Sequence, residues 1–296
     1  MNNLLLITRA NFLFLTVVIV AAGLSASFYA HGVFNPFDAI IVLIGALLTH
    51  MAANVFNNYF DYKSKIDART IKTPFSGGVD ILVKGAMKPS AAFGVGLACL
   101  AGAAMIGVYF LTRGLYSLFP ILLYGLVAIL FYTPVLSRVR ALSEIVAGTG
   151  FGFMALGAYV VEARVVDATG IAVFVPVSIL VGLLLFLNEF PDAEADKAAG
   201  RRHLVILVGR RKSALVYVTF VVATYFSILL AVLLGASPIA VLVSLIALPI
   251  AFKAMTIVLK NYDRIPELVP ALGLNVIVII STIGLLAAGF LIGSYI

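Results

Sequence analysis

Nine apolar runs of about 20 residues each constrain this chain more than any other feature. They fall near residues 11–30, 37–61, 91–111, 115–133, 141–162, 170–190, 213–234, 237–259 and 268–295. Runs of that length and hydropathy read as transmembrane helices. Apolar residues make up 63% of the chain and charged residues 11%, against roughly 45–50% and 25% in soluble domains. The expectation is an all-α polytopic membrane protein, one domain over residues 1–296, with nine transmembrane helices around a polar cavity. Tight hairpins are expected around Arg113-Gly114 and Gly235-Ala236-Ser237. The N-terminal MNNLLLITRANFLFL lacks a basic leader and runs into a full span, so it does not read as a cleavable signal. The single cysteine, Cys99, excludes a disulfide framework.

Charge orients the bundle. With the N-terminus inside, the inner segments are the N-terminus and the loops after spans 2, 4, 6 and 8. They carry 17 of the 20 Lys and Arg; Arg113 and Arg164 lie outside, and Lys253 lies within span 8. The asymmetry predicts a cytoplasmic N-terminus and an outer C-terminus, in the plasma membrane. The net charge of +7 is thereby explained without a nucleic-acid partner.

Two apolar runs end in residues that lipid does not tolerate. The first stretch, His50 to Asp67, carries Asn54, Asn57, Asn58, Asp61 and Asp67; the second, Asn188 to Lys197, carries Asn188, Asp192 and Asp196. Both open to the same side and run into long loops, about 63–90 and 192–212, which are expected to cap the cavity on the cytoplasmic side. Residues four apart share a helix face, so Asn54, Asn57 or Asn58, and Asp61 form one stripe, with His50 a turn deeper. Asn188, Asp192 and Asp196 form a matching stripe unless Pro191 breaks the helix between them. The first helix is expected to end around Lys63–Lys65.

Ionisable groups inside a membrane are costly and mark function. Carboxylate and amide oxygens are hard ligands suited to Mg²⁺, which is commonly held by one or two carboxylates plus phosphate oxygens. Two facing clusters, Asn57, Asp61 and Asp67 with Asp192 and Asp196, would hold Mg²⁺ (or Mn²⁺) around a diphosphate. Asn188 and the flanking Lys63, Lys197 and Arg201 would contact the diphosphate itself. The alternative is that the acids only pair with the basic loops.

The segments NNYFDYKSKID with KTPFSGG, and NEFPDAEADKAAGRRHL, resemble the two signature regions of the UbiA superfamily of intramembrane prenyltransferases. The spacing Asn57, Asp61, Asp67 is closer to the 1,4-dihydroxy-2-naphthoate polyprenyltransferase branch than to the 4-hydroxybenzoate branch. Phe131-Tyr132-Thr133-Pro134 resembles the family's tyrosine motif, and Thr8-Arg9-Ala10 its N-terminal Arg-Pro. The resemblance implies a Mg²⁺-dependent transfer of a polyprenyl group from an isoprenyl diphosphate to an aromatic quinone precursor. Asp61, Asp192 and Tyr132 would be catalytic, and Arg9 and Arg138 further diphosphate contacts. Prenyl ether synthesis on a glycerol phosphate lipid is the alternative within the superfamily. Asn58, Ala10 and Pro191 stand where many relatives have Asp, Pro and a basic residue.

Other residues have plainer readings. Arg9 also serves as a positive-inside anchor, Tyr132 as an interfacial belt residue, and Glu144 as a helix-start acid favoured by the dipole. His50 and Asn275 read as interior hydrogen-bonding groups, and Gly77-Gly78 as a turn or the hinge of a lid. A cation-coupled transporter would carry its acids near mid-membrane within an inverted repeat, whereas these lie at helix ends. A phospholipid head-group transferase would need an Asp-Gly-x2-Ala-Arg run, which is missing.

Overall fold

The computed structural model describes residues 3–66, 73 and 78–296. Among the described residues all regular structure is helical. A short α1 (Asn3–Ile7) and a 3₁₀ turn lead into α2 (Phe14–His31). Then come α3 (Pro36–Lys63), α4 (Pro89–Thr112), α5 (Phe119–Phe131), α6 (Leu142–Ala163), α7 (Ala168–Ala198), the short α8 (Leu204–Val208) and α9 (Arg210–Leu233). A 3₁₀ segment, Ile239–Ala247, continues into α10 (Leu248–Asn261), and α11 (Ile265–Gly293) closes the chain.

Eight of these segments are long and apolar enough to cross a membrane. The expected fourth span is the exception: α5 has 13 residues, about 20 Å at 1.5 Å per residue. Pro120 starts it, and Pro134 disfavours helical backbone at Thr133, so it cannot lengthen. It still carries the chain from one end of the bundle to the other. Before it, Arg113 pairs with Asp38 near the start of α3. After it, Thr133 Oγ1 accepts from Asn57 Nδ2 (3.2 Å) near the end of α3.

Local chemistry sets the ends of the two functional helices. Asn35 caps α3, its side chain accepting from the amides of Phe37 (3.0 Å) and Asp38 (3.4 Å), with Pro36 in the first turn. The helix stops at Lys63, as expected. Lys65 turns left-handed (φ 60°), and the Ile66 amide reaches back to the Asp61 carbonyl (3.1 Å). Asp167 caps α7, accepting from the Gly170 amide (3.0 Å). Of the two possibilities left open at Pro191, the continuous helix holds, and α7 runs through Pro176 and Pro191 for 31 residues. An interior proline costs about 3 kcal/mol in a water-exposed helix; in a membrane bundle it is tolerated where neighbouring helices pack around it, and Leu183, Phe186, Leu187 and Phe190 are buried here. The second cap therefore starts at Ala199 rather than 192 and contains α8.

The main core joins α2, α6, α7, α9, α10 and α11. The α6–α7 pair packs most extensively. A Cβ at Gly148 or Gly152 would run into the Ser178 carbonyl or hydroxyl oxygen, so glycine permits the close approach. That approach brings the start of α6 alongside the end of α7. Polar bonds lock the core as expected. Tyr217 donates to Asn275 (2.9 Å), Asn275 donates to the Leu183 carbonyl (3.2 Å), and His50 Nδ1 lies 2.7 Å from Thr16 Oγ1.

Candidate active site

The two polar stretches meet at one end of the bundle. Asp61, in the last turn of α3, and Asp196, near the end of α7, are both buried. The Arg201 guanidinium joins them, ion-paired to Asp61 and to Asp196 Oδ1 (2.9 Å). Burial alone would lower the Arg201 pKa, but the two carboxylates raise it well above its ordinary value, so it stays charged. Arg9, held in a left-handed conformation between α1 and α2, donates to Asn58 Oδ1 (3.0 Å) and Asn57 Oδ1 (3.4 Å).

The asparagines of the first stripe divide into two groups. Asn54 Nδ2 donates to the Thr8 carbonyl (2.9 Å) and Asn58 Nδ2 to that of Ile7 (3.2 Å). These two tie down the N-terminal segment and set Arg9 in place. Asn57 faces Thr133 and the cluster.

On α7, Asn188 Oδ1 and Asp192 Oδ1 are buried without a hydrogen bond. Buried polar atoms are nearly always paired, so these orphans mark a position for a ligand. The donors are oxygens from Asn and Asp, a set that fits Mg²⁺. Asp67, the remaining expected ligand, lies outside the described residues, as does Gly77 of the expected hinge.

A cavity of about 230 Å³ opens over the cluster, lined by Asp61, Lys63, Thr133, Ser137, Arg138 and Arg201. Lys63 and Arg138 thus both line this cavity. Lys63 Nζ also stands 5.5 Å over the Tyr59 ring. Lys197 is exposed, next to buried Asp196, and is not among the residues lining this cavity. Tyr132 follows directly on α5. Burial, then the nearby Glu189 carboxylate, push its phenol well above the ordinary value, so it remains neutral. A larger apolar cavity of about 300 Å³ lies between α3, α4, α5 and α6. It reaches Thr49 and Ile129, the latter one helical turn before Thr133.

Residues 16–272 match the UbiA prenyltransferase family. The chain belongs to that family. A curated relative, the 1,4-dihydroxy-2-naphthoate octaprenyltransferase of Bacillus subtilis (strain 168), is 29% identical over 203 residues, 67% of this chain and 64% of its own length. The apo structure of a UbiA homolog from Aeropyrum pernix K1 superposes with a TM-score of 0.72 at 17% identity, covering 94% of this chain and 97% of its own. The UbiA homolog from Archaeoglobus fulgidus bound to DMAPP and Mg²⁺ gives 0.63 at 14% identity, covering 99% and 98%. These structures share the fold.

This UbiA-family chain also brings together residues that sequence reasoning left aside or read plainly. Glu144, read as a helix-start acid, accepts from the Leu204 amide (2.6 Å) and the Ser143 hydroxyl (2.7 Å). It thereby stitches α6 to the segment after α7. Glu189 and His203 are buried beside it, and His203 Nε2 lies 3.2 Å from Asp196 Oδ2. The available signal was Glu189 itself, an acid inside an apolar helix.

Proposed function

We propose that this protein transfers an isoprenyl group from its diphosphate to a small aromatic acceptor of the dihydroxynaphthoate kind. The observation that carries the proposal is the convergence of Asp61, Asp192 and Asp196 with Arg9 and Arg201 at one end of the bundle, beside an apolar cavity large enough for part of a prenyl chain. The acceptor class is supported by the name of the Bacillus relative and by the spacing of Asn57, Asp61 and Asp67.

Asn57, Asp61, Asn188, Asp192 and Asp196 would hold Mg²⁺, with Asp67 a further ligand. Bound there, Mg²⁺ supplies charge stabilisation to the departing diphosphate. Arg9, Lys63, Arg138 and Arg201 bind diphosphate oxygens and take up the negative charge that grows as the C–O bond breaks. The apolar cavity holds the chain and keeps water from the allylic carbon as it becomes cationic. Tyr132, uncharged, flanks that carbon without quenching it. The electron-rich acceptor ring then attacks; the new C–C bond replaces the C–O bond, and the attacked ring carbon loses its proton to the departed diphosphate, or CO₂ if that carbon is carboxylated, so that aromaticity returns.

The decisive experiment is incubation of purified protein and Mg²⁺ with labelled prenyl diphosphates of several lengths. The acceptors are dihydroxynaphthoate, hydroxybenzoate and geranylgeranylglyceryl phosphate. A prenylated naphthoate is expected. Product only on the glycerol phosphate would replace the acceptor, and turnover undiminished by excess EDTA would remove the metal.

The chain is an integral membrane protein by its apolar helices and family. The Lys and Arg asymmetry supports placing the active-site end in the cytoplasm, the N-terminus with it, and the C-terminus outside the plasma membrane. In right-side-out vesicles lacking Cys99, a cysteine at Ala199 should label from inside and one at Val165 from outside. The reverse pattern would invert the map.

A further inference from the structure

Beside the diphosphate site lies a second group of metal-ligating side chains that the proposed reaction does not use. Glu144 at the start of α6, Glu189 on α7 and His203 after α7 each offer a ligand atom within 4.8 Å of the others. Glu189 and His203 are 6% and 2% exposed. Among the described residues, Glu189 Oε2 and both ring nitrogens of His203 make no hydrogen bond. His203 Nδ1 stands 3.5 Å from Glu189 Oε2, whereas a charge-assisted bond would close to about 2.7–2.9 Å. Among the described residues no Lys or Arg forms an ion pair with Glu144 or Glu189. Buried carboxylates are paired or bind metals, and the one basic side chain within ion-pair distance of these acids, among the described residues, is His203, itself a metal ligand when neutral.

We propose that Glu144, Glu189 and His203 form a second metal site, for a divalent first-row transition ion such as Mn²⁺ or Zn²⁺. One imidazole among carboxylates favours such an ion over Mg²⁺, which the neighbouring all-oxygen site suits. Ligands held tetrahedrally at about 2.0–2.2 Å from an ion lie about 3.3–3.6 Å apart, so the three side chains, now within 4.8 Å of one another, need close by about an ångström. The surroundings are prepared for this. Ser143 and the Leu204 amide orient the Glu144 carboxylate. Asp196 Oδ2, 3.2 Å from His203 Nε2, is placed to hold the far side of the ring and leave Nδ1 as the ligand. The ion would clamp α6, α7 and the segment bearing Arg201 into one unit, and Asp196 would link it to the diphosphate site.

The test uses the full chain with its purification tag removed, stripped with chelator and given Mn²⁺ without any prenyl diphosphate. The chain has three histidines. His31 lies at the opposite end of the bundle, and His50 Nδ1 is bonded to Thr16. Pulsed EPR of bound Mn²⁺ should therefore show nitrogen coupling from the one imidazole at this site, at a stoichiometric equivalent of metal. His203→Ala should abolish the coupling, Glu189→Gln should abolish that binding, and Asp196→Asn should weaken it roughly 10–100-fold. The double variant Asp61→Asn/Asp192→Asn should retain it. A wild-type protein that binds no nitrogen-coupled ion would overturn the proposal, whether or not every variant purifies. So would coupling that survives His203→Ala or vanishes in the double variant. None of these readouts involves prenyl transfer, so their failure leaves the proposed reaction standing.

Discussion

The two ends of the bundle both bury charge, and they handle it differently. At the end that holds Arg113 and Arg164, each acid has its own partner. Asp38 pairs with Arg113. Asp167 accepts from the Tyr159 hydroxyl (2.6 Å) and the Gly170 amide and lies 2.9 Å from His31 Nε2. Glu162 accepts from the Asn35 amide through Oε2 (2.9 Å), while its Oε1 is buried with no hydrogen bond among the described residues. At the active-site end, Asp61 and Asp196 share one guanidinium, Asp192 and Glu189 have no Lys or Arg in ion-pair contact among the described residues, and unpartnered atoms collect on Asn188, Glu189, Asp192 and His203. The first end is largely paired within the chain, Glu162 Oε1 being its exception among the acids, and it holds helices together. The second leaves more buried oxygens unpartnered among the described residues, the feature on which the proposed metal-binding role rests.

The sharpest way to break this contrast is to remove one acid from each end. Asp61→Asn and Asp192→Asn should each lower prenyl transfer roughly a thousandfold or more, because an amide cannot hold a divalent ion against a diphosphate and each 1.36 kcal/mol is about tenfold in rate. Both proteins should still purify as monodisperse species. Asp38→Asn should do the opposite, lowering the melting temperature in detergent while turnover per folded molecule stays near normal. Near-normal turnover in Asp61→Asn, with a matching loss of stability, would make the two ends alike. Chelation with excess EDTA should reproduce the Asp61→Asn loss in the wild type, and Mg²⁺ should restore it.

A smaller effect tests the apolar cavity. Gly150 lines it, and a Cβ there meets nothing within 4 Å, so the backbone accepts a side chain at this position and Gly150→Phe should occupy part of the cavity. Discrimination should shift toward short prenyl diphosphates, with kcat/KM for long chains falling roughly 10–200-fold relative to short ones. An equal loss for every chain length would show that the chain runs elsewhere.

The smallest effect lies at the paired end. Burial alone would raise the Asp167 pKa, but bonds from Tyr159, the Gly170 amide and His31 bring it below its ordinary value of 3.8. A depressed carboxyl pKa contributes stability that is full above the unfolded value and is lost as pH falls through the folded one. The wild type should therefore melt slightly above Asp167→Asn at neutral pH, with the gap constant down to about pH 4 and closing below it. A gap that widens on acidification would reverse the assignment.

Much of this protein is legible in its sequence because membrane burial leaves a one-dimensional record. Apolar length predicts spans, and an Asn or Asp at four-residue spacing predicts a stripe on one helix face. Asp61, Asn188, Asp192 and Asp196 stand out in this way, as do the interior bonds of His50 and Asn275. Spacing along one helix carries no information about what another helix brings. That Pro191 leaves α7 intact depends on how deeply the helix is packed. That Asn58 anchors the N-terminal segment while Asn57 faces the cluster depends on where Ile7 and Thr8 lie. Glu144, Glu189 and His203 belong to three separate segments, and the close approach of α6 to α7 at Gly148 and Gly152 is what brings them together. Hydropathy and local spacing are properties of neighbouring residues, whereas partners across a bundle are chosen by packing, which only the tertiary structure decides.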